Sequence, residues 1–278
     1  MYSGILQLLF WTLAMWSTAK FLRTENYRYF YLTGCAAGLA ILSKYTGILF
    51  LPAAMLWLLS SSRLRMVLTR KEPWIGAVMT VFTVPILWWN YQHDWASFKH
   101  ILFIGSGYTG ILRRFSDGLG YHLSQFLTIS PLFYLAIIAA IFSSIILELR
   151  RGNSARSLLL CLGAPLFLFG VMSFKSHAEA NWGVMGYVST GILSVMLLTD
   201  RENPVTGFIS KHFDVRRLMR IGIFISIFMV SLVVVHAWIG LLPASIEKDL
   251  GKNDRIIWET RGWAGLGNHL SSLMNEGD

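Results

Sequence analysis

The chain has 278 residues, 54% of them hydrophobic and 14% charged, with a formal net charge of +9. Soluble domains carry about 25% charged residues, so this composition argues against a soluble enzyme and for a membrane protein, with several spans of roughly 20 apolar residues. The basic residues fall in short clusters between apolar runs, as topology signals do, and form no single patch of the kind nucleic acid would need.

In chain order the apolar segments are 2–20, 28–44, 45–61, 74–91, 129–149, 157–174, 181–199 and 220–241. Backbone groups in lipid must be satisfied internally, so each segment is expected to be a helix. No alternating strand pattern of about ten residues is present, which argues against an outer-membrane barrel. The expected fold is all-α: a polytopic membrane protein of about eight transmembrane helices plus one interfacial helix. Residues 1–243 form the helical domain, with an outer loop at 92–128. Residues 244–278 form a short extracytoplasmic tail.

The second segment carries Gly34 and Gly38, four apart, a spacing that lets a neighbouring helix approach closely. Cys35 and Cys161 both lie inside apolar runs and read as buried small residues. Pro85 is a candidate kink in the fourth segment.

The connections alternate in charge. Lys20, Arg23 and Arg28, then Arg63, Arg65, Arg70 and Lys71, then Arg150, Arg151 and Arg156, then five more between 200 and 220, hold fifteen of the 24 basic residues. The positive-inside rule places these connections in the cytoplasm. Met1 and the C-terminus then lie outside, and "SKYTG", "WWNYQHDWASFKH" and "KSHAEANW" share the outer face. A chain that opens outside, directly in an apolar helix, reads as the remainder of a longer protein.

Chemistry-bearing side chains gather on that outer face. Lys44 is a lone cation between two apolar segments, where an ammonium can snorkel or grip a phosphate. Tyr45 adds a hydroxyl, and the amides after Thr46 and Gly47 favour an anion. At 88–100, Trp88, Trp89, Tyr91 and Trp95 form an aromatic belt, with Asn90, Gln92, His93 and Asp94 interleaved as candidate sugar contacts. The loop continues as an amphipathic stretch, with Arg113, Arg114, Phe115, Leu119, Leu123 and Phe126 suited to lying in the interface. The turn at 174–182 carries Lys175, His177, Glu179 and Asn181: a second phosphate contact and three candidate substrate contacts.

No spacing matches a metal site, a Ser-His-Asp arrangement or a phosphate-binding loop, so neither metal nor cofactor is expected. Ionisable residues are absent from the middle of the apolar segments, which counts against ion-coupled transport.

Four stretches, "AAGLAILSKYTGILFLPAAMLWLL", "PILWWNYQHDWASFKH", "FKSHAEANWGVMGY" and "RGWAGLG", together resemble the bacterial members of glycosyltransferase family 39. These are dolichyl-phosphate-mannose–protein mannosyltransferase-like enzymes of the GT-C type. Their relatives include lipid A aminoarabinose and galacturonic acid transferases. The resemblance implies sugar transfer from a polyprenyl-phosphate donor to a lipid, glycan or protein acceptor outside the bacterial inner membrane. It also implies that Lys44 meets the donor phosphate and that Lys175, His177 and Asn181 match a second family turn. Relatives often have Asn-Trp-Pro where this chain has Asn181, Trp182 and Gly183. They also carry an acidic motif in a first outer loop that has no counterpart here. The general-base carboxylate is therefore expected to be missing and the chain to be N-terminally truncated. A non-enzymatic, lipid-binding remnant and a transporter of polyprenyl-linked sugars stay open beside the transferase reading.

Overall fold

The computed structural model describes residues 2–60, 74–105, 110–151, 154–176, 178–179, 181–199, 207–208, 211–239, 267 and 269–272. These residues form helices and turns, with no strand among them. In order, the helices are α1 (Tyr2–Thr24), α2 (Tyr27–Ser43), a 3-10 turn (Tyr45–Leu49), α3 (Phe50–Ser60), α4 (Trp74–Gln92) and α5 (Ala96–Gly105). They continue as α6 (Ile111–Ile129), α7 (Pro131–Arg151), α8 (Ser154–Met172), α9 (Gly186–Thr199) and α10 (Val215–Ile239).

All eight apolar segments are helical where described, with two differences from the sequence reading. The third opens as a 3-10 turn, and the seventh begins as a turn over 181–185, with helix only from Gly186. Two described helical stretches, Gly4–Thr24 and Arg216–His236, are long and apolar enough to cross a membrane alone. Helix α9 has 14 residues. At 1.5 Å per residue it reaches about 21 Å, short of the ~30 Å hydrocarbon core. A bend of 113° separates α6 from α7.

Helices α1, α2 and α4 pack side by side, α3 crosses to α8, and α9 fits between α7 and α8. The core joins Trp11 and Met15 of α1, Ala36 and Ile41 of α2, Phe50 and Trp57 of α3, Leu162 of α8 and Leu193 of α9. Outward faces carry Leu9, Val81, Phe142, Ile146, Phe224 and Ile227, all exposed. On a water-soluble protein such a surface would be an aggregation liability; against lipid it costs nothing.

Several hydroxyls inside these helices are satisfied within the protein. Thr18, Thr33, Ser43 and Ser194 each donate to the carbonyl four residues back. Ser17 and Thr33 also meet across α1 and α2, at 2.9 Å. Such interhelical bonds contribute about 0.6 kcal/mol each.

Gly38 explains the glycine pair of α2: a Cβ there would run into the ring of Phe82 on α4. Gly38→Leu should therefore push α4 away. Overpacking costs ~1–3 kcal/mol, so its midpoint in a detergent thermal melt should fall, and Phe82→Ala in the same chain should restore part of it.

Candidate functional site

The site is built around one extended residue. Helix α2 ends at Ser43, and Lys44 (φ −158°, ψ 136°) separates it from the 3-10 turn. The Lys44 N–H still donates to Ala40 O, while the Gly47 N–H donates back to Lys44 O at 2.8 Å. That second bond commits the amide that the sequence reading had offered to an anion. The turn folds so tightly onto α2 that a Cβ at Gly47 would overlap the Ala40 carbonyl.

From this turn the half-buried Lys44 reaches across the bundle. Its Nζ donates to Asn181 Oδ1 at 3.1 Å, joining positions 137 residues apart. Burial pushes the Lys44 pKa below the 10.5 of a free lysine, and the Glu179 carboxylate works the other way by favouring the ammonium. Glu179 and Asn181 share one turn, closed by Trp182 N–H donating to Glu179 O at 3.0 Å. The "SKYTG" and "EANW" stretches thus meet at one end of the bundle.

The 90–97 loop comes to the same place. Tyr45 donates to Ser97 Oγ at 3.1 Å and stacks on Phe98. Asn90 is fully buried. Its Nδ2 donates to Ile86 O at 3.0 Å and to Tyr45 OH at 3.5 Å, and its Oδ1 accepts from Ser97 N at 3.2 Å. The structure therefore places Asn90 behind Tyr45 as a brace. His93 turns back on α4, with Nδ1 at 2.7 Å from Trp89 O and its ring stacked on the Trp89 indole. Asp94 points to solvent and pairs with Lys99 at 2.6 Å. Lys175 is exposed beside the Glu179 turn. His177 lies outside the described residues.

Helix α6 covers this end from the side. Its apolar face, with Ile111, Phe115, Leu119 and Leu123, is exposed, as an interfacial helix requires. Its other face is polar and packs inward, a feature the sequence reading missed. His122 Nδ1 meets Tyr134 OH at 2.6 Å and Nε2 meets Gly170 O at 3.2 Å, while Tyr187 donates to Gln125. Tyr121 and Gln125, one turn apart and on the side away from Leu119 and Leu123, carry the sequence signal for this face. Phe174 lodges against Gly118, and the Tyr121 hydroxyl packs on Gly183, where a Cβ would come within 3.2 Å of it. Gln7, the Thr46 hydroxyl and Ser97 also join the site without having been expected there.

Chemically, the site offers a half-buried ammonium held by an amide and flanked by a carboxylate, at the rim of an apolar bundle. Such a point charge suits a phosphate, which would take the place of Asn181 as its partner. Among the described residues no group of three or more His, Cys, Asp or Glu is placed to hold a metal.

The profile of the dolichyl-phosphate-mannose-protein mannosyltransferase family matches residues 3–89, which contain nearly all of α1, then α2, the Lys44 turn, α3 and most of α4, and stop one residue short of Asn90. The lipid A galacturonosyltransferase RgtD of Rhizobium johnstonii is 33% identical over 168 residues, 59% of this chain and 34% of the relative. The chain spans about a third of the length of that relative. No solved structure matches the chain. Taken with the all-helical, apolar architecture of the described residues, these matches make the chain similar, over part of its length, to the dolichyl-phosphate-mannose-protein mannosyltransferase family and to a lipid A galacturonosyltransferase.

Proposed function

We propose that the chain acts in sugar transfer from a polyprenyl-phosphate donor to a lipid or glycan acceptor on the outer face of the bacterial inner membrane, with Lys44 holding the donor phosphate. The observation that carries this reading is the Lys44–Asn181 pair, which joins two polar turns at one end of an otherwise apolar bundle. In the transfer, an acceptor hydroxyl attacks the anomeric carbon, the carbon–oxygen bond to phosphate breaks, and its electron pair stays on the phosphate. In a complete enzyme the hydroxyl proton would pass to the general-base carboxylate that is expected to be missing from this sequence. Lys44 stabilises charge as it develops on the leaving phosphate, and the exposed Lys175 serves as the second phosphate contact. Glu179 and Asn181 supply contacts to the sugar or acceptor from one turn, and His177, outside the described residues, is proposed as a further contact.

The test is twofold. Native mass spectrometry of the purified chain should show binding of undecaprenyl phosphate but not of undecaprenol. Glycolipid analysis of strains with and without the gene should show a sugar-bearing species only in the former. Equal binding of alcohol and phosphate would sink the reading.

Binding should also depend on pH in a defined direction. The ammonium is lost at lower pH than for a free lysine, because burial favours the neutral amine. Affinity for undecaprenyl phosphate should therefore fall as pH rises through a midpoint below 10.5. Glu179→Gln removes the anion that favours the ammonium, so the falling limb should move further towards acid. A limb that moved towards alkali would contradict the assignment.

A further inference from the structure

The turn that carries Lys44 is gripped by two fully buried carboxamides from different helices. Gln7 on α1 is wholly buried, and its Nε2 donates to Thr46 Oγ1 at 2.7 Å. Asn90 on α4, also wholly buried, donates to Tyr45 OH and accepts from Ser97 N, while Tyr45 OH donates to Ser97 Oγ. The two residues that follow Lys44 are thus each tied by a hydroxyl to a buried amide, one from each side. A buried amide adopts a fixed rotamer, and leaving its partner unsatisfied costs more than an ordinary surface bond.

We propose that Gln7 and Asn90 are positioning residues: a two-sided amide clamp that fixes the Tyr45–Thr46 turn so that Lys44 projects toward Asn181 and a bound phosphate. Neither amide touches the phosphate. Gln7 acts through Thr46, and Asn90 acts through Tyr45 and Ser97. This rests on the reading of Lys44 as the phosphate-binding residue and deepens it. Gln7 lies within the first two turns of the apolar helix α1, and a buried amide there is costly unless it is used. Its Oε1 and the Trp11 Nε1 one turn on are buried without a hydrogen-bond partner. Helix α1 therefore tolerates an imperfectly satisfied core at the one place where it holds the turn.

The experiment compares binding of undecaprenyl phosphate with thermal stability in the full chain. Thr46→Val keeps the shape and removes the hydroxyl; Thr46→Ser restores it. Loss of one hydrogen bond corresponds to roughly two- to tenfold in an equilibrium. Thr46→Val and Asn90→Leu should each weaken binding by about that factor or more, and Thr46→Ser should bind like wild type. Gly163→Ala is the control for stability alone, since its Cβ would press on Thr190 Cγ2 at 2.7 Å, away from the turn. If variants matched in melting midpoint to Gly163→Ala bind as it does, the clamp is only structural and the inference is overturned. If Lys44→Ala binds undecaprenyl phosphate as wild type does, the reading beneath it fails instead.

Discussion

Lys44→Ala should lower affinity for undecaprenyl phosphate by at least tenfold and, where transfer is measured, lower its rate by more than its binding. A hydrogen bond to a charged group contributes about 1.5–3 kcal/mol, roughly 10- to 150-fold. A donor aimed at charge that develops only in the transition state is worth about 100- to 1,000-fold in rate. The environment explains why both apply here. Lys44 is half-buried at the end of an apolar bundle, and its charge survives there beside Asn181 and Glu179. Removing the ammonium takes away the donor to Asn181 and the cation that the Glu179 carboxylate favours. Trp88→Ala is the matching control. Trp88 is exposed and stands in the aromatic belt at the edge of α4, so its loss should alter membrane seating and leave binding within about twofold. Lys44→Arg separates charge from shape: it keeps the charge but replaces a compact ammonium with a broad fork, so partial recovery is expected. Equal and mild losses in Lys44→Ala and Trp88→Ala would contradict the phosphate role.

Much of this architecture is legible in sequence because the bilayer demands it. Every apolar run had to become a helix, and the alternation of basic and nearly neutral connections led the candidate turns to be expected on one face. That Lys44 and Asn181 touch was not legible: it depends on how α2 and α9 pack through α3 and α8, which pattern does not encode. Asn90 shows the limit more sharply. Its neighbours are aromatic and polar, so it reads as a sugar contact, yet its burial and its bonds to Ile86, Tyr45 and Ser97 are matters of tertiary packing. Gln7 was hidden for the opposite reason. A single amide in an apolar run has no periodicity to mark it, and only its bond to Thr46 gives it a role. The inward polar face of α6 was within reach, because Tyr121 and Gln125 are spaced to share a helix face.

Gly47→Ala should be the most damaging single-methyl change in the described part of the chain. At Gly38 and Gly118 the added carbon would meet the side chains of Phe82 and Phe174, which can turn aside. At Gly47 it would meet the backbone of Ala40 and Ile41, held in place by the hydrogen bonds of α2. Relief therefore requires the 3-10 turn to lift off the helix, which breaks the bond from Gly47 N to Lys44 O and draws Thr46 away from Gln7. Overpacking of a core typically costs about 1–3 kcal/mol, and an immovable partner puts this substitution at the upper end or beyond. The consequence reaches the site as well, because the lifted turn carries Lys44 away from Asn181. Gly120→Ala provides the contrast. It lies within α6 with nothing near its Cβ, and alanine in a helix is favoured over glycine by about 0.8–1.0 kcal/mol. Thermal melts in detergent should show Gly47→Ala destabilised and Gly120→Ala unchanged or improved. Undecaprenyl phosphate binding should fall in the first and hold in the second. A Gly47→Ala chain that melted and bound like wild type would mean that the turn does not sit against α2 as described, and the placement of Lys44 would fall with it.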